Sequence, residues 1–161
     1  MNARKIVALA LASYGLAHCS LVGAQEEMYW ESNFGLITLA SIAQRSQTPE
    51  GSSTARLILT GDVSLSADNS TAARLTEPGG DYLTTEYALE FDGDGQSATG
   101  RADVSYTSYG SFISTQVTIT RVGTDSDVEV TLNVRASMNV GDVADAGPYT
   151  ATQTLTASWV G

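Results

Sequence analysis

From Val128 to Met138 every second residue is apolar, and the residues between them are Glu129, Thr131, Asn133, Arg135 and Ser137. A repeat of two sends the two sets to opposite faces of an extended chain, whereas a helix would scatter both around its axis. This segment can bury its apolar set in one piece only as a strand of a sheet. The same repeat recurs along the chain. Ala55, Leu57, Leu59, Gly61, Val63, Leu65 and Ala67 form one set, which predicts one long strand or two separated by a bend at Gly61. Leu83, Thr85, Tyr87, Leu89 and Phe91 form another, followed by Ala102, Val104 and Tyr106, and by Ile113, Thr115, Val117 and Ile119. Turn clusters punctuate these runs: EPGGD at 77–81, DGDG at 92–95 and GTDSD at 123–127. Beyond the first two dozen residues no stretch carries a helical period. Seven or eight strands with one polar face each predict an all-β fold. Two antiparallel sheets packed as a sandwich are the expected arrangement, with a closed barrel as the alternative.

The beginning of the chain reads differently. Arg4 and Lys5 precede an apolar stretch from Ile6 to Leu16, and Val22, Gly23 and Ala24 are small enough for a cleavage site. This is the anatomy of a secretory signal peptide over residues 1–24. His18, Cys19 and Ser20 interrupt a run already short for a membrane span, so no membrane span is expected in the processed chain. His18 also stands where a bacterial lipoprotein signal wants a small residue, which argues against lipidation at Cys19.

Cleavage after Ala24 would remove the only Cys, the only His and the only Lys. The remaining chain then has no internal disulfide, no Ser-His-Asp or Cys-His site, no Schiff-base lysine and no common zinc site. The expectation is a protein that is not an enzyme and carries no cofactor or metal. Six arginines remain against 18 acids, a net charge of about −12, which disfavours a nucleic-acid partner. Glu90, Asp92, Asp94 and Gly95 could open a calcium loop, but Arg101 stands where its bidentate acid belongs. A hairpin turn is the simpler reading. Asn69-Ser70-Thr71 is a glycosylation sequon that matters only in a eukaryotic secretory route. Tyr106, Tyr109 and Phe112 lie close enough in sequence to suggest a sugar platform, with ordinary core packing as the plainer account.

The segment AGPYTATQTLTASW, residues 146–159, alternates again. Tyr149, Ala151, Gln153, Leu155, Ala157 and Trp159 share one register with a single polar interruption. A strand has two hydrogen-bonding edges. With only Val160 and Gly161 following, the second edge of this strand is expected to need a partner strand from another source.

Several stretches, taken in order, resemble a known family. SNFGLI at 32–37 resembles the opening motif of spore coat protein U-like domains and related fimbrial subunits of the chaperone–usher type. VSLSADNSTAARLT at 63–76, with YLTTEYAL at 82–89, is similar to their middle segment. AGPYTATQTLTASW resembles their closing motif. The resemblance implies an immunoglobulin-like antiparallel sandwich one strand short, completed by a strand supplied in trans. It also implies a structural subunit of a secreted or cell-surface fibre. Its partners would be neighbouring copies or related subunits, a periplasmic chaperone and an outer-membrane usher. On this reading residues 25–33 are an N-terminal extension and 34–161 the sandwich. Met28, Trp30 and Phe34 would then be donor-strand residues, and Tyr149, Ala151, Leu155, Ala157 and Trp159 would line the acceptor strand. Two departures stand out: many relatives carry a disulfide, and the extension here is short. Two alternatives remain open. Met28, Trp30 and Phe34 could form the first strand of their own domain, and the protein could be a self-contained secreted adhesin or carbohydrate-binding module.

Overall fold

The computed structural model describes residues 6–10, 27–92, 103–114, 116–120, 127–138 and 146–160, with residues 6–10 and Asp92 described by their backbone. The strands, in chain order, are β1 (Ile6–Ala10), β2 (Met28–Trp30), β3 (Leu36–Leu39), β4 (Glu50–Leu59), β5 (Val63–Ala67) and β6 (Thr84–Asp92). They continue with β7 (Val104–Ser108), β8 (Val117–Ile119), β9 (Asp127–Ser137), β10 (Thr152–Gln153) and β11 (Leu155–Trp159). Two 3₁₀ turns, Thr71–Ala73 and Tyr109–Ser111, are the only helical pieces among the described residues. No helix there is long and apolar enough to cross a membrane.

One layer is a five-stranded sheet in the order β2-β4-β9-β6-β7. The other contains the groups β10-β1-β3 and β11-β5-β8. Only Thr154 separates β10 from β11, and its carbonyl accepts from Asp68 N at 2.9 Å, so the two groups run into one another along the terminal segment. Every pairing is antiparallel except that of β1 with β10. The protein is an all-β sandwich, and the separate edges of its layers set it apart from a closed barrel.

The alternations place the core. Val128, Val130, Leu132, Val134 and Ala136 of β9 are all fully buried, and Leu83, Thr85, Tyr87, Leu89 and Phe91 pack beside them. Ala55, Leu57 and Leu59 of β4 and Val63 and Leu65 of β5 point into the same core. The chain turns between β4 and β5 over Thr60–Asp62, which resolves the long Ala55–Ala67 run into two strands. Gly61 suits that bend, because the Trp159 ring lies over it and a Cβ there would come within 3.2 Å of the ring. The outer face of the central strands is polar and paired. The Thr54 and Thr131 hydroxyls lie 2.9 Å apart across the ladder, and Arg135 Nε donates to Glu86 Oε2 at 2.8 Å. Such half-exposed pairs fix register more than they add stability.

One expected strand is shorter than its pattern. Ile113 lies in the left-handed region at φ 47°, just after the second 3₁₀ turn, so the backbone cannot run extended through it. Its side chain is still buried, and the strand begins only at Val117. Ala102, Thr115 and most of the DGDG and GTDSD turns lie outside the described residues.

The two layers come close together at Gly51 of β4. A Cβ at this position would lie 2.7 Å from Ile37 Cγ2, 2.9 Å from Leu39 Cδ2 and 3.4 Å from the Thr38 carbonyl. Strand β3 can seat its buried residues here only because β4 carries no side chain. Gly51→Ala is expected to cost about 1–3 kcal/mol through overpacking. Gly110→Ala, where a Cβ meets nothing within 4 Å, should change stability far less. Thermal unfolding of the two variants checks the difference.

Candidate functional site

The terminal segment presents two edges, because backbone groups of successive residues in a strand point to opposite sides. The even-numbered residues use one edge. Thr150 exchanges two hydrogen bonds with Thr76, both 3.0 Å; Thr154 accepts from Asp68 N; and Val160 N donates to Asp62 O at 3.1 Å. Strand β11 pairs with β5 on this same side, from Leu155↔Ala67 to Trp159↔Val63. The edge of the odd-numbered residues faces the other way, and β1 covers it. Leu9 pairs with Thr152 and Ala10 with Gln153, running parallel. The far side of β1 pairs antiparallel with β3, from Ile6↔Leu39 to Leu9↔Leu36. A one-strand slot therefore lies between β3 and β10, and residues from the segment read as a leader occupy it.

Register defines the two faces of the slot. Ile6 and Ala8 stand level with Leu39 and Ile37, both buried, and Ala10 stands level with Gln153, also buried. Val7 and Leu9 stand level with Thr38 and Leu36, which face out; Leu36 is 58% exposed. Partners across a ladder share a face, so positions 6, 8 and 10 belong to the inward side.

The residues expected on the acceptor strand are spread along the terminal segment, with Ala157 and Trp159 in β11, which pairs with β5 rather than with β1. Tyr149, Ala151 and Leu155 are buried, and Ala157 and Trp159 are half-buried against the core. The polar interruption of that register, Gln153, is only 1% exposed, and neither its Oε1 nor its Nε2 has a hydrogen-bond partner. Leaving buried amide atoms unpaired costs about 1–3 kcal/mol. The alternation put Gln153 on the inward face, but nothing in the sequence signalled that its amide would be orphaned there.

The expected donor residues sit elsewhere. Met28–Trp30 is the outer strand of the domain's own sheet, paired with β4 from Met28↔Leu59 to Trp30↔Leu57. Trp30 and Phe34 are buried with ring centroids 5.5 Å apart, and Met28 packs against the same core. The segment is tied down along its length. Glu31 N donates to Arg56 O at 2.9 Å, Arg56 N to Ser32 Oγ at 2.9 Å, and Gly35 N to Ser53 Oγ at 2.7 Å. Arg56 also pairs with Glu31 and Asp127. In this structure Met28, Trp30 and Phe34 thus take the alternative left open by the sequence, the first strand of their own domain. Trp30 and Phe34 are buried and Met28 partly buried within their own chain, without the ordering and association costs of a transfer to a neighbour. Strand β2 thus draws Met28–Trp30, within the stretch read as an extension, into the five-stranded sheet.

The other candidates disperse. Phe112 is a core residue against Tyr87, with centroids 5.4 Å apart. Tyr106 lies beneath Arg135, whose Cζ is 4.2 Å from its ring centroid, and Tyr109 is half-buried near Arg74. The three aromatics form no common platform. Arg74 instead stacks at 4.0 Å on Tyr82, which is 44% exposed. Glu90 accepts from Asn133 Nδ2 at 3.3 Å, while Asp94 and Gly95 lie outside the described residues. Among the described residues no three His, Cys, Asp or Glu side chains group as a metal site would require. The cleavage site at Ala24 and Cys19 are also outside the described residues. No protein-family model matches the chain, and no curated protein matches it.

The 3₁₀ turn Thr71–Ala73 packs beside β10 and is anchored by Tyr87, whose buried hydroxyl donates to Ala73 O at 2.7 Å. Burial pushes the Tyr87 phenol well above its ordinary value. The neutral phenol therefore contributes stability that is complete below about pH 10, the unfolded value, and is lost as pH rises beyond it. Tyr87→Phe should lose about 1–3 kcal/mol at neutral pH, by orphaning the Ala73 carbonyl. It should also flatten the fall of stability above about pH 10. Chemical denaturation at pH 7 and across the alkaline range measures both effects.

Proposed function

We propose that this chain is a structural subunit of a secreted or cell-surface fibre whose sandwich is completed by a strand from another polypeptide. The observation that carries the reading is the position of β1: a strand drawn from the segment read as a cleavable leader lies between β3 and β10. Removing residues 1–24 takes that strand away. It leaves the β3 edge and the odd-residue edge of β10 unpaired, one strand-width apart, beside Ile37, Leu39 and Ala151. Each ladder bond regained from an incoming strand contributes roughly 0.5–1.5 kcal/mol, and apolar burial adds about 25 cal/mol per Å². Strand addition to a sheet edge is an established mode of association. The resemblance to spore coat protein U-like and fimbrial subunits supports the same reading. It suggests a periplasmic chaperone as first occupant, a neighbouring subunit as second and an outer-membrane usher as the exit. With β2 held in its own sheet, the strand given to the neighbour is not Met28–Phe34 by default.

The test compares the leader-bearing chain with the exported chain cut after Ala24. The leader-bearing form should be a monomer. The exported form should unfold at lower temperature when alone, and should be recovered as linear assemblies or bound to a strand-donating partner. Light scattering after size-exclusion chromatography and electron microscopy distinguish these states. A cut chain that stays monomeric and equally stable would defeat the fibre reading. That outcome would favour a self-contained secreted binding module, for which the Tyr82 ring stacked on Arg74 is the exposed feature to test on a glycan array.

A further inference from the structure

Every large side chain level with the slot on its inward side is apolar except one. Gln153 sits on β10 at the centre of the acceptor register, almost wholly excluded from water, with both ends of its amide unpaired. The position level with it in the inserted strand is Ala10. Alanine carries no group that could meet an amide, and the chain around Gln153 does not supply one. The two other buried polar residues are satisfied, whereas in the half-buried Asn69 and Arg74 the Oδ1 and Nε atoms are also left unpaired. Thr85, 1% exposed, accepts from Leu75 N and donates to Leu83 O, both at 3.0 Å. Ser64 meets Ser158 Oγ at 2.9 Å. Of these three buried polar residues, Gln153 is thus the one whose side chain is left without a partner, and it lies on the strand that borders the slot.

We propose that the strand occupying this slot in the assembled protein carries a small hydroxyl residue, Ser or Thr, level with Gln153, and that the leader strand is a placeholder lacking it. This rests on the fibre reading above and specifies the partner's chemistry. The occupant is an extended segment of another polypeptide running parallel to Thr152–Gln153. Apolar residues stand level with Leu39 and Ile37, and a hydroxyl follows two positions after the second of them. A hydroxyl both donates and accepts, so it can serve either end of the amide. Ser is also the smallest change from the alanine that the slot already admits. The arrangement couples identity to insertion. A wholly apolar strand fills the slot but strands the amide, and one slipped by a single residue turns the hydroxyl outward. The matching strand satisfies both and can displace the placeholder.

The full chain, expressed without export so that residues 6–10 stay in place, allows a direct test. Ala10→Ser should raise the unfolding midpoint by about 2–4 °C, the shift expected for one net hydrogen bond in a chain of this size. Ala8→Ser, which places the hydroxyl level with Ile37, should lower it. In a Gln153→Met background the gain from Ala10→Ser should vanish. A serine at position 10 that gives no gain, or the same gain without Gln153, overturns the proposal while leaving the fibre reading intact. A second arm uses the exported, cut chain with the synthetic pentapeptides IVALS and IVALA. Tighter binding of IVALS, by roughly five- to tenfold for one such bond, supports the proposal. Equal binding of the two overturns it. Binding of neither overturns the fibre reading and the inference that rests on it.

Discussion

The constraint on which the rest depends is the odd-residue edge of the terminal segment. Its other edge is engaged by Thr76, Asp68, β5 and Asp62. Its inward side chains, Tyr149, Ala151, Gln153 and Leu155, are committed to the core. A strand in this position cannot turn its open edge to water without also wetting the residues beside it, because the slot is flanked on the other side by buried Ile37 and Leu39. Backbone pairing and core closure are therefore one event, and whatever fills the slot must supply an extended backbone and an apolar face together. A loop or a helix could provide only one of the two.

That requirement is sharpened by what the processed chain would lack. Without a cysteine no disulfide could hold the sheets together, and the ion pairs of Arg56 and Arg135 lie on the outer face, where solvent screens them. Cohesion falls to side-chain burial and strand ladders. The central strands β4, β9 and β6 are long and paired on both edges, and they form a layer that is complete by itself. The opposite layer is divided at the slot, and β3 leans on β4 at the glycine of position 51 as well as on its strand neighbour. The engagement of Trp30 and Phe34 in the first layer follows from the same economy. A short, disulfide-free domain uses its largest aromatic side chains in its own core.

Much of the central sheet could be read from alternation because its strands are buried on one face only, the situation in which a period of two is unambiguous. The β9 and β6 registers and the bend after Leu59 come from that. The role of Met28–Phe34 could not be read. An amphipathic strand has the same pattern whether its apolar face meets its own core or a neighbour's, and its pairing with Leu57–Leu59 is visible only in the structure. Ile113 misleads for a related reason. Its apolar side chain keeps the alternation going, while a positive φ, invisible in the sequence, stops the strand. The inward register of the terminal segment was legible residue by residue. Its polar member resembled a lapse in the pattern, and its isolation emerges only when the neighbouring strand is present to be compared with it.

The apolar segment of a leader makes a natural occupant of such a slot for a physical reason independent of any partner. A leader carries an apolar run, and an apolar face is what an unpaired edge over a hydrophobic floor selects. Chemical fit is then the only thing left to distinguish an intended strand from an accidental one. Burial alone is generous, since apolar side chains of similar volume substitute for one another at modest cost. A buried amide is not, because its unpaired state is penalised whatever else the strand offers. On the fibre reading, a slot meant to exchange one occupant for another gains from combining a tolerant floor, which lets a provisional strand shield the core, with one exacting polar position, which ensures that the provisional strand is not the best. The single glutamine of the terminal register meets that second condition without adding a charge that burial would forbid.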